Sequence, residues 1–345
     1  MTLRVAFDAR DARQPHRRGW GRHAADLLAA LRRRGDVAVR ACGPRADRLP
    51  EIAWEQAGWP LRLLGGPRPD LLHQPNCFLP LHRPCPGVVT VHDLAFEVHP
   101  EDFAPRTGWK YRTFTRRAVR DAEAVICVSR ATADDVLERY GADPARIHVV
   151  PNGPSLPVGE RPAGLAGAGL ADDGRPYLLA IGDLRAKKNL ERLVDAWRRS
   201  GLPHRLLLVG AAGGAPGAEV ALRERLRAGG AELCGWLDDE QLDALLRGAD
   251  LLVHPSLFEG FGLVVLEAMA RGVPVACSAL PSLRETAGGA AVHFDPRDVD
   301  DQARGIVEAL ARRDALAHAG RARAAAFGWD RAAAETVAVY RSVLR

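Results

Sequence analysis

Apolar runs of strand length alternate with amphipathic or irregular stretches along the whole chain. In the first half the runs are Leu3–Asp8, Val37–Cys42, Asp70–His73, Gly87–Val91, Ala124–Val128 and the strand-and-turn word Ile147–Gly153. Residues 154–175 are rich in Pro, Gly and Ala, a linker composition. The same grammar then restarts with Tyr177–Ile181, His204–Val209, Cys234–Leu237, Asp250–Val253, Val273–Cys277 and Ala291–Phe294. Between the strands lie helical stretches, such as one with Leu27, Leu28 and Leu31 on one face and a last one carrying Ala334, Val337 and Tyr340. This alternation predicts an α/β protein built on parallel sheets with helices on both faces. A chain of 345 residues is long for one core and natural for two domains. The expected division is 1–155, a linker or hinge at 156–175, a second domain at 176–326, and a closing helix at 327–345.

Composition changes that picture little. Hydrophobic residues make up 47% of the chain, and no run of 18 or more of them appears, so no membrane span is expected. The chain opens directly on a strand, which argues against a signal peptide. Its six cysteines are scattered without a CxxC pair and read as reduced core residues of a cytoplasmic protein. The net charge of +5 is uneven: residues 1–155 hold 24 Lys and Arg against 18 Asp and Glu, and the remainder is almost balanced. The basic first half, with a helix over Pro105–Arg120 bearing Arg106, Lys110, Arg112, Arg116, Arg117 and Arg120, would attract an anionic acceptor or the inner face of a membrane. The plainer reading is arginine on solvated faces. No nucleic-acid-binding motif is present.

The chemistry concentrates where strands give way to helices. After Asp250–Val253 comes a turn at Gly260-Phe261-Gly262 and then an apolar helix, so helix-start amides face outward at a strand's carboxyl end, where an α/β sheet holds phosphate. Glu259 precedes the turn and Glu267 follows eight residues later, about two helical turns on. Two carboxylates around such amides suit a ligand with sugar hydroxyls at one end and a phosphate at the other. A second strand leads through Gly182 to Arg185, Lys187 and Lys188, cations that suit a diphosphate. Placed at a helix start they oppose the helix dipole, which implies an anionic partner. A third strand-loop-helix unit carries Gly19 and Gly21, which permit close backbone approach. His92 stands at the end of a fourth strand, as a site residue or a satisfied structural one.

These words resemble those of the retaining, nucleotide-sugar-dependent glycosyltransferases of group 1, which include mannosyltransferases. The match rests on Glu259-(seven residues)-Glu267 with Glu-Gly-Phe-Gly and Glu-Ala-Met-Ala around it, on His92-Asp93, Ser129-Arg-Ala-Thr132 and Val150-Pro-Asn-Gly153, and on Lys188-Asn189. It covers essentially the whole chain. Two departures stand out: Trp20 between the glycines, and Asp183 where some members place an arginine.

The resemblance implies the GT-B fold, two Rossmann-like parallel-sheet domains facing a central cleft, with the last helix crossing back to the first domain and the first domain on the acceptor side. It implies transfer of a hexose, mannosyl-type favoured, from a nucleotide-diphosphate sugar to a glycan, lipid-linked or small-molecule acceptor. By resemblance Glu259, Gly260, Phe261, Gly262 and Leu263 hold the donor sugar and phosphate, Glu267 the ribose, and Lys188 with Arg185 or Lys187 the diphosphate. Gly19 and Gly21 approach the donor phosphate, the backbone at Trp236 and Leu237 holds the base, and His92 lines the reacting sugar. No cofactor and no metal are expected, and GDP-mannose is the first candidate donor. The only Asp-x-Asp, Asp298-Val-Asp300, reads as a helix cap. Two other readings share the fold: a nucleotide-sugar epimerase or phosphorylase, and a non-catalytic nucleotide-sugar or glycan-binding protein. The spaced glycines of a dinucleotide dehydrogenase are absent.

Overall fold

The structure is a computed structural model and describes residues 2–14, 19–44, 51–211 and 218–345. The chain divides into two compact units. Unit 1 comprises Met1–Leu94, Trp109–Ser155 and Phe327–Arg345, and unit 2 comprises Ala95–Gly108 and Leu156–Ala326. Among the described residues each contains one six-stranded, wholly parallel sheet.

In unit 1 the strands are β1 (Leu3–Asp8), β2 (Val37–Cys42), β3 (Leu71–Gln74), β4 (Gly87–Val91), β5 (Ala124–Cys127) and β6 (Ile147–Val149), in the order β2-β1-β3-β4-β5-β6. β3, β4 and β5 are buried at every position. Covered on both faces, β4 and β5 are near-continuous apolar runs rather than alternating ones, while β3 also buries the polar His73 and Gln74. The Gly19–Arg33 helix buries Ala24, Leu27, Leu28 and Leu31 in the same core as Ala332, Ala333, Val337 and Tyr340 of the Trp329–Val343 helix.

Unit 2 contains β7 (Tyr177–Ile181), β8 (Arg205–Val209), β9 (Glu232–Gly235), β10 (Leu251–His254), β11 (Val275–Ser278) and β12 (Val292–Phe294), in the order β12-β11-β10-β7-β8-β9. The chain moves outward from β7 to one edge, then returns to β10 and moves outward to the other. This is the doubly wound arrangement, and the loops after β7 and β10 diverge to open a crevice at the carboxyl ends of those strands. In unit 1 the corresponding divergence falls between β1 and β3.

Two segments differ from the sequence-based expectation. Residues 156–175, expected as a linker, fold onto unit 2: Leu156, Leu165 and Ala168 are buried, and the Gly164 amide donates to the Ala244 carbonyl at 2.7 Å. Composition registers the glycines and prolines of this stretch but not the backbone bonds that fix it. Ala95–Gly108, though it directly follows His92-Asp93-Leu94, belongs to unit 2. The basic helix runs over Pro105–Asp121, where Arg117 and Arg120 both pair with Asp121 and Trp109 is 59% exposed. No helix among the described residues is long and apolar enough to cross a membrane.

Candidate active site

The crevice of unit 2 is built from the ends of β10 and β7. β10 finishes at His254, which is buried, and the chain passes through Ser256 to Glu259 and the glycine turn. Gly262 has φ 91°, a conformation side chains resist, and a Cβ there would fall 2.5 Å from Leu283 Cδ2. The turn is pinned from behind. Ser282 Oγ donates to the Glu259 carbonyl and Thr286 Oγ1 to the Phe261 carbonyl, each at 2.6 Å. The Leu263–Ala270 helix starts directly after Gly262, and its first amides have no acceptor within the helix. Such a terminus favours a negative charge.

Glu259 Oε1 accepts three hydrogen bonds, from Lys188 Nζ at 2.6 Å, Ser256 Oγ at 2.7 Å and His254 Nε2 at 3.0 Å. Burial pushes this carboxyl up, but the Lys188 ammonium and then His254 override it and hold Glu259 well below the usual carboxylate range. It is therefore ionised throughout the neutral range.

Lys188 comes from the loop after β7. Its stem crosses Gly182, where a Cβ would lie 3.2 Å from Lys188 Cδ and Cε, so a larger residue would push the lysine away from Glu259. A single turn of 3-10 helix over Ala186–Lys188 is followed by Asn189 in the left-handed region, φ 57°. Asn189 is the one non-glycine residue with positive φ among those described. Its side-chain amide donates to the Pro255 and Pro296 carbonyls at 3.0 and 2.6 Å, which ties this loop to the one after β10. The Leu257 amide donates to the Lys187 carbonyl at 2.7 Å and closes the same seam. Lys187 is buried and close enough to help draw Glu259 down. Arg185 pairs with Asp183 at 2.9 Å and lies over the Phe103 ring, 5.3 Å from its centroid.

The remaining donor-side residues are more spread out. Glu267 is buried, and its Oε1 accepts from the Leu156 amide at 3.0 Å, so one of its oxygens already holds the chain entering unit 2. Arg271, one turn later, grips the Leu156 and Pro157 carbonyls at 2.8 and 3.0 Å. Trp236 is 44% exposed and Leu237 buried, both directly after the edge strand β9, two strands away from Lys188. Asp298 caps the Val299–Ala311 helix, accepting from the Asp300 and Asp301 amides at 2.8 and 3.1 Å, as its position in the sequence suggests.

In unit 1, Gly19 and Gly21 open the Gly19–Arg33 helix, and a Cβ on Gly19 would meet nothing within 4 Å. His92 is buried at the end of β4. Its Nε2 lies 2.7 Å from the Pro75 carbonyl. A carbonyl can only accept, so the imidazole proton sits on Nε2 and Nδ1 is left as an acceptor. Burial lowers the His92 pKa, so the ring is neutral near pH 7. Trp20 stacks on it, with centroids 5.7 Å apart and planes at 19°, and His23 meets it edge-on at 4.5 Å. The unusual tryptophan between the glycines is thus a platform for His92. Nearby, burial raises Asp8, at the end of β1, to about 6 even though it accepts bonds from the Arg10 amide and Trp54 Nε1 at 3.0 and 3.1 Å.

The sequence reading did not assign roles to His254, Ser256, Asn189 or Asp102. The first three stand within or beside the words that carried the resemblance and could have been read from them. Asp102 carries no local signal.

The comparisons agree with this architecture. Residues 167–325 match the family model for glycosyl transferases group 1, and residues 17–156 that for glycosyltransferase family 4. The chain is 31% identical over 291 residues to O-antigen chain mannosyltransferase B of Escherichia coli, covering 79% of this chain and 74% of that one. It is 32% identical over 293 residues to alpha-maltose-1-phosphate synthase of Mycobacterium tuberculosis, covering 75% and 73%. Among solved structures, sucrose-phosphate synthase from Thermosynechococcus elongatus superposes with a TM-score of 0.77 at 21% identity, over 99% of this chain and 98% of that one. With two parallel doubly wound units and these matches across both, the chain belongs to the group 1 glycosyltransferases of the GT-B fold.

Proposed function

We propose that the protein transfers a mannosyl group, with retention at the anomeric carbon, from a nucleotide-diphosphate mannose to a hydroxyl of a glycan, lipid-linked or small-molecule acceptor. GDP-mannose is the first candidate donor, on the strength of the mannosyltransferase relative. The observation that carries the reading is the Lys188–Glu259 pair beside the helix-start amides of Leu263–Ala270, in the crevice between β7 and β10.

In this reading Glu259 accepts bonds from sugar hydroxyls, and the amides around Phe261, Gly262 and Leu263 take phosphate oxygens. Lys188 neutralises charge on the departing diphosphate, and Lys187 adds to the local positive potential while Arg185 is occupied by Asp183. Glu267 holds the ribose. His92 contributes through Nδ1, the acceptor its tautomer leaves open. The reaction breaks the anomeric C–O bond to the diphosphate and forms one to the acceptor oxygen on the same face, and the acceptor proton leaves on the diphosphate. The main contribution of the protein is electrostatic stabilisation of the separating charges. A carboxylate whose Oε1 already accepts three donors is a weak nucleophile, which favours this course over a glycosyl-enzyme formed on Glu259.

A thermal-shift panel of nucleotide sugars tests the donor, since a ligand at about 100 times its Kd adds about 2.7 kcal/mol of stability. NMR of the first-formed product tests the stereochemistry: an inverted anomeric centre would overturn the mechanism.

A further inference from the structure

The short segment His99–Phe103 touches both loops that form the unit 2 crevice. Asp102, 4% exposed, accepts the Ala186 amide on Oδ1 at 2.8 Å and the Lys187 amide on Oδ2 at 3.0 Å. Phe103 lies under the Arg185 guanidinium, and the His99 ring meets Phe258 with centroids 6.1 Å apart. These contacts span 84 and 85 positions of sequence for Asp102 alone. The carboxylate thus grips the turn that presents Lys188, using both oxygens on two consecutive amides at the foot of a cationic loop.

We infer that Asp102 is a positioning residue for recognition of the donor diphosphate: it fixes the Ala186–Lys188 turn so that Lys188 meets the diphosphate from one direction. The inference rests on the donor reading above. The turn has three anchors, namely Asp102 beneath it, the Leu257 amide on the Lys187 carbonyl, and the Asn189 side chain on the Pro255 and Pro296 carbonyls. Only Asp102 is anionic. It offsets the charge of Arg185, Lys187 and Lys188 locally while each of its oxygens takes one amide, an arrangement in which a carboxamide would turn an NH2 donor toward one of the two. Without it the turn loses a bond and lysine orientation relaxes, so the group recognised through Lys188 binds less well while the rest of the nucleotide is unaffected.

The experiment compares the affinities of GDP and GMP, and of UDP and UMP, by calorimetry for the wild type and for Asp102→Asn, with melting temperature measured alongside. The expected result is a diphosphate-to-monophosphate affinity ratio at least fivefold lower in Asp102→Asn. A purely structural role would lower the melting temperature and leave the ratio unchanged, and that outcome overturns the inference. Should Asp102→Asn fail to fold, Asp102→Glu decides by the same ratio, because its charge is kept but displaced by one methylene. A drop of more than threefold supports the inference, and an unchanged ratio overturns it. If the wild type binds no nucleoside diphosphate at all, the donor reading itself fails. If it binds one and the ratio does not respond, only the role of Asp102 does.

Discussion

Lys188 Nζ lies 2.6 Å from Glu259 Oε1, with the two side chains only 16% and 12% exposed, so each charge is kept in place by the other. Removing one partner leaves the other poorly solvated, at a cost of about 3 kcal/mol when a buried pair is broken. Lys188→Met is expected to lower the denaturation free energy at pH 7.5 by roughly that amount and to reduce turnover by more than tenfold. Glu259→Gln keeps the shape and should reduce turnover by more than tenfold as well, one factor of ten being about 1.4 kcal/mol of barrier. Turnover within threefold of wild type in both variants would remove the pair from the reaction.

Glu267 should behave differently. With its proposed partner the ribose, remote from the reacting carbon, Glu267→Gln is expected to raise the donor KM several-fold and to change kcat little. The substituted amide still offers an oxygen to the Leu156 amide, so the stability loss should stay below about 1 kcal/mol. Steady-state kinetics with the donor as varied substrate read the split, and a dominant fall in kcat would contradict the assignment.

Acid should destabilise unit 1. Burial holds His23, His73 and His92 below the ordinary histidine value, His73 at about 3, so all three are neutral in the folded protein near pH 7. The unfolded chain binds these protons first as pH falls below about 6.5. The stability they permit is therefore fully present above that value and lost on acidification, by up to about 1.4 kcal/mol per histidine per pH unit. Asp8 works in the opposite sense. With its folded value raised to about 6, it gives up stability as pH rises from about 4 to about 6. Three groups against one predict a lower urea midpoint at pH 5.0 than at pH 7.5. Asp8→Asn should raise the free energy of unfolding at pH 7.5, by about 2–3 kcal/mol at most, and much less at pH 4.

Full activity in EDTA is the expectation for the reaction, because Lys187 and Lys188 supply the positive charge at the proposed diphosphate position and Asp298 is committed to two helix amides. Loss of turnover in EDTA with recovery on adding Mn²⁺ or Mg²⁺ would show the opposite.

The central strands were legible in the sequence because they are covered on both faces, and the edge strand β2 because its apolar residues still stand out between polar flanks. Gly87–Val91 and Tyr177–Ile181 are near-continuous apolar runs, Leu3–Asp8 and Val37–Cys42 are apolar runs each interrupted by an arginine, and their ends coincide with those of β4, β7, β1 and β2. The glycine turn after β10 was legible for a local reason too, since the positive φ of Gly262 is one that glycine alone adopts readily, although Ser282 and Thr286 pin the turn from farther along the chain. What escaped depends on partners far along the chain. The glycines and prolines of 156–175 say nothing of the Ala244 carbonyl that receives the Gly164 amide. Asp102 sits in an ordinary polar stretch, and its importance comes wholly from two amides more than eighty residues away. Trp20 stands out in the sequence between two glycines, but its use as a surface for His92 depends on the fold.

The Trp329–Val343 helix puts Ala333 and Tyr340, both wholly buried, into a core otherwise made by residues before 151, and Tyr340 OH bonds His73 Nδ1 at 2.6 Å. As the chain leaves the ribosome, unit 2 has all its residues once position 326 has emerged, whereas unit 1 still lacks one wall of its core. Of these two sheets, the one synthesised earlier is thus the later to be sealed. During that interval its core lacks the residues that complete it, and the lag lengthens with every residue between β6 and the closing helix.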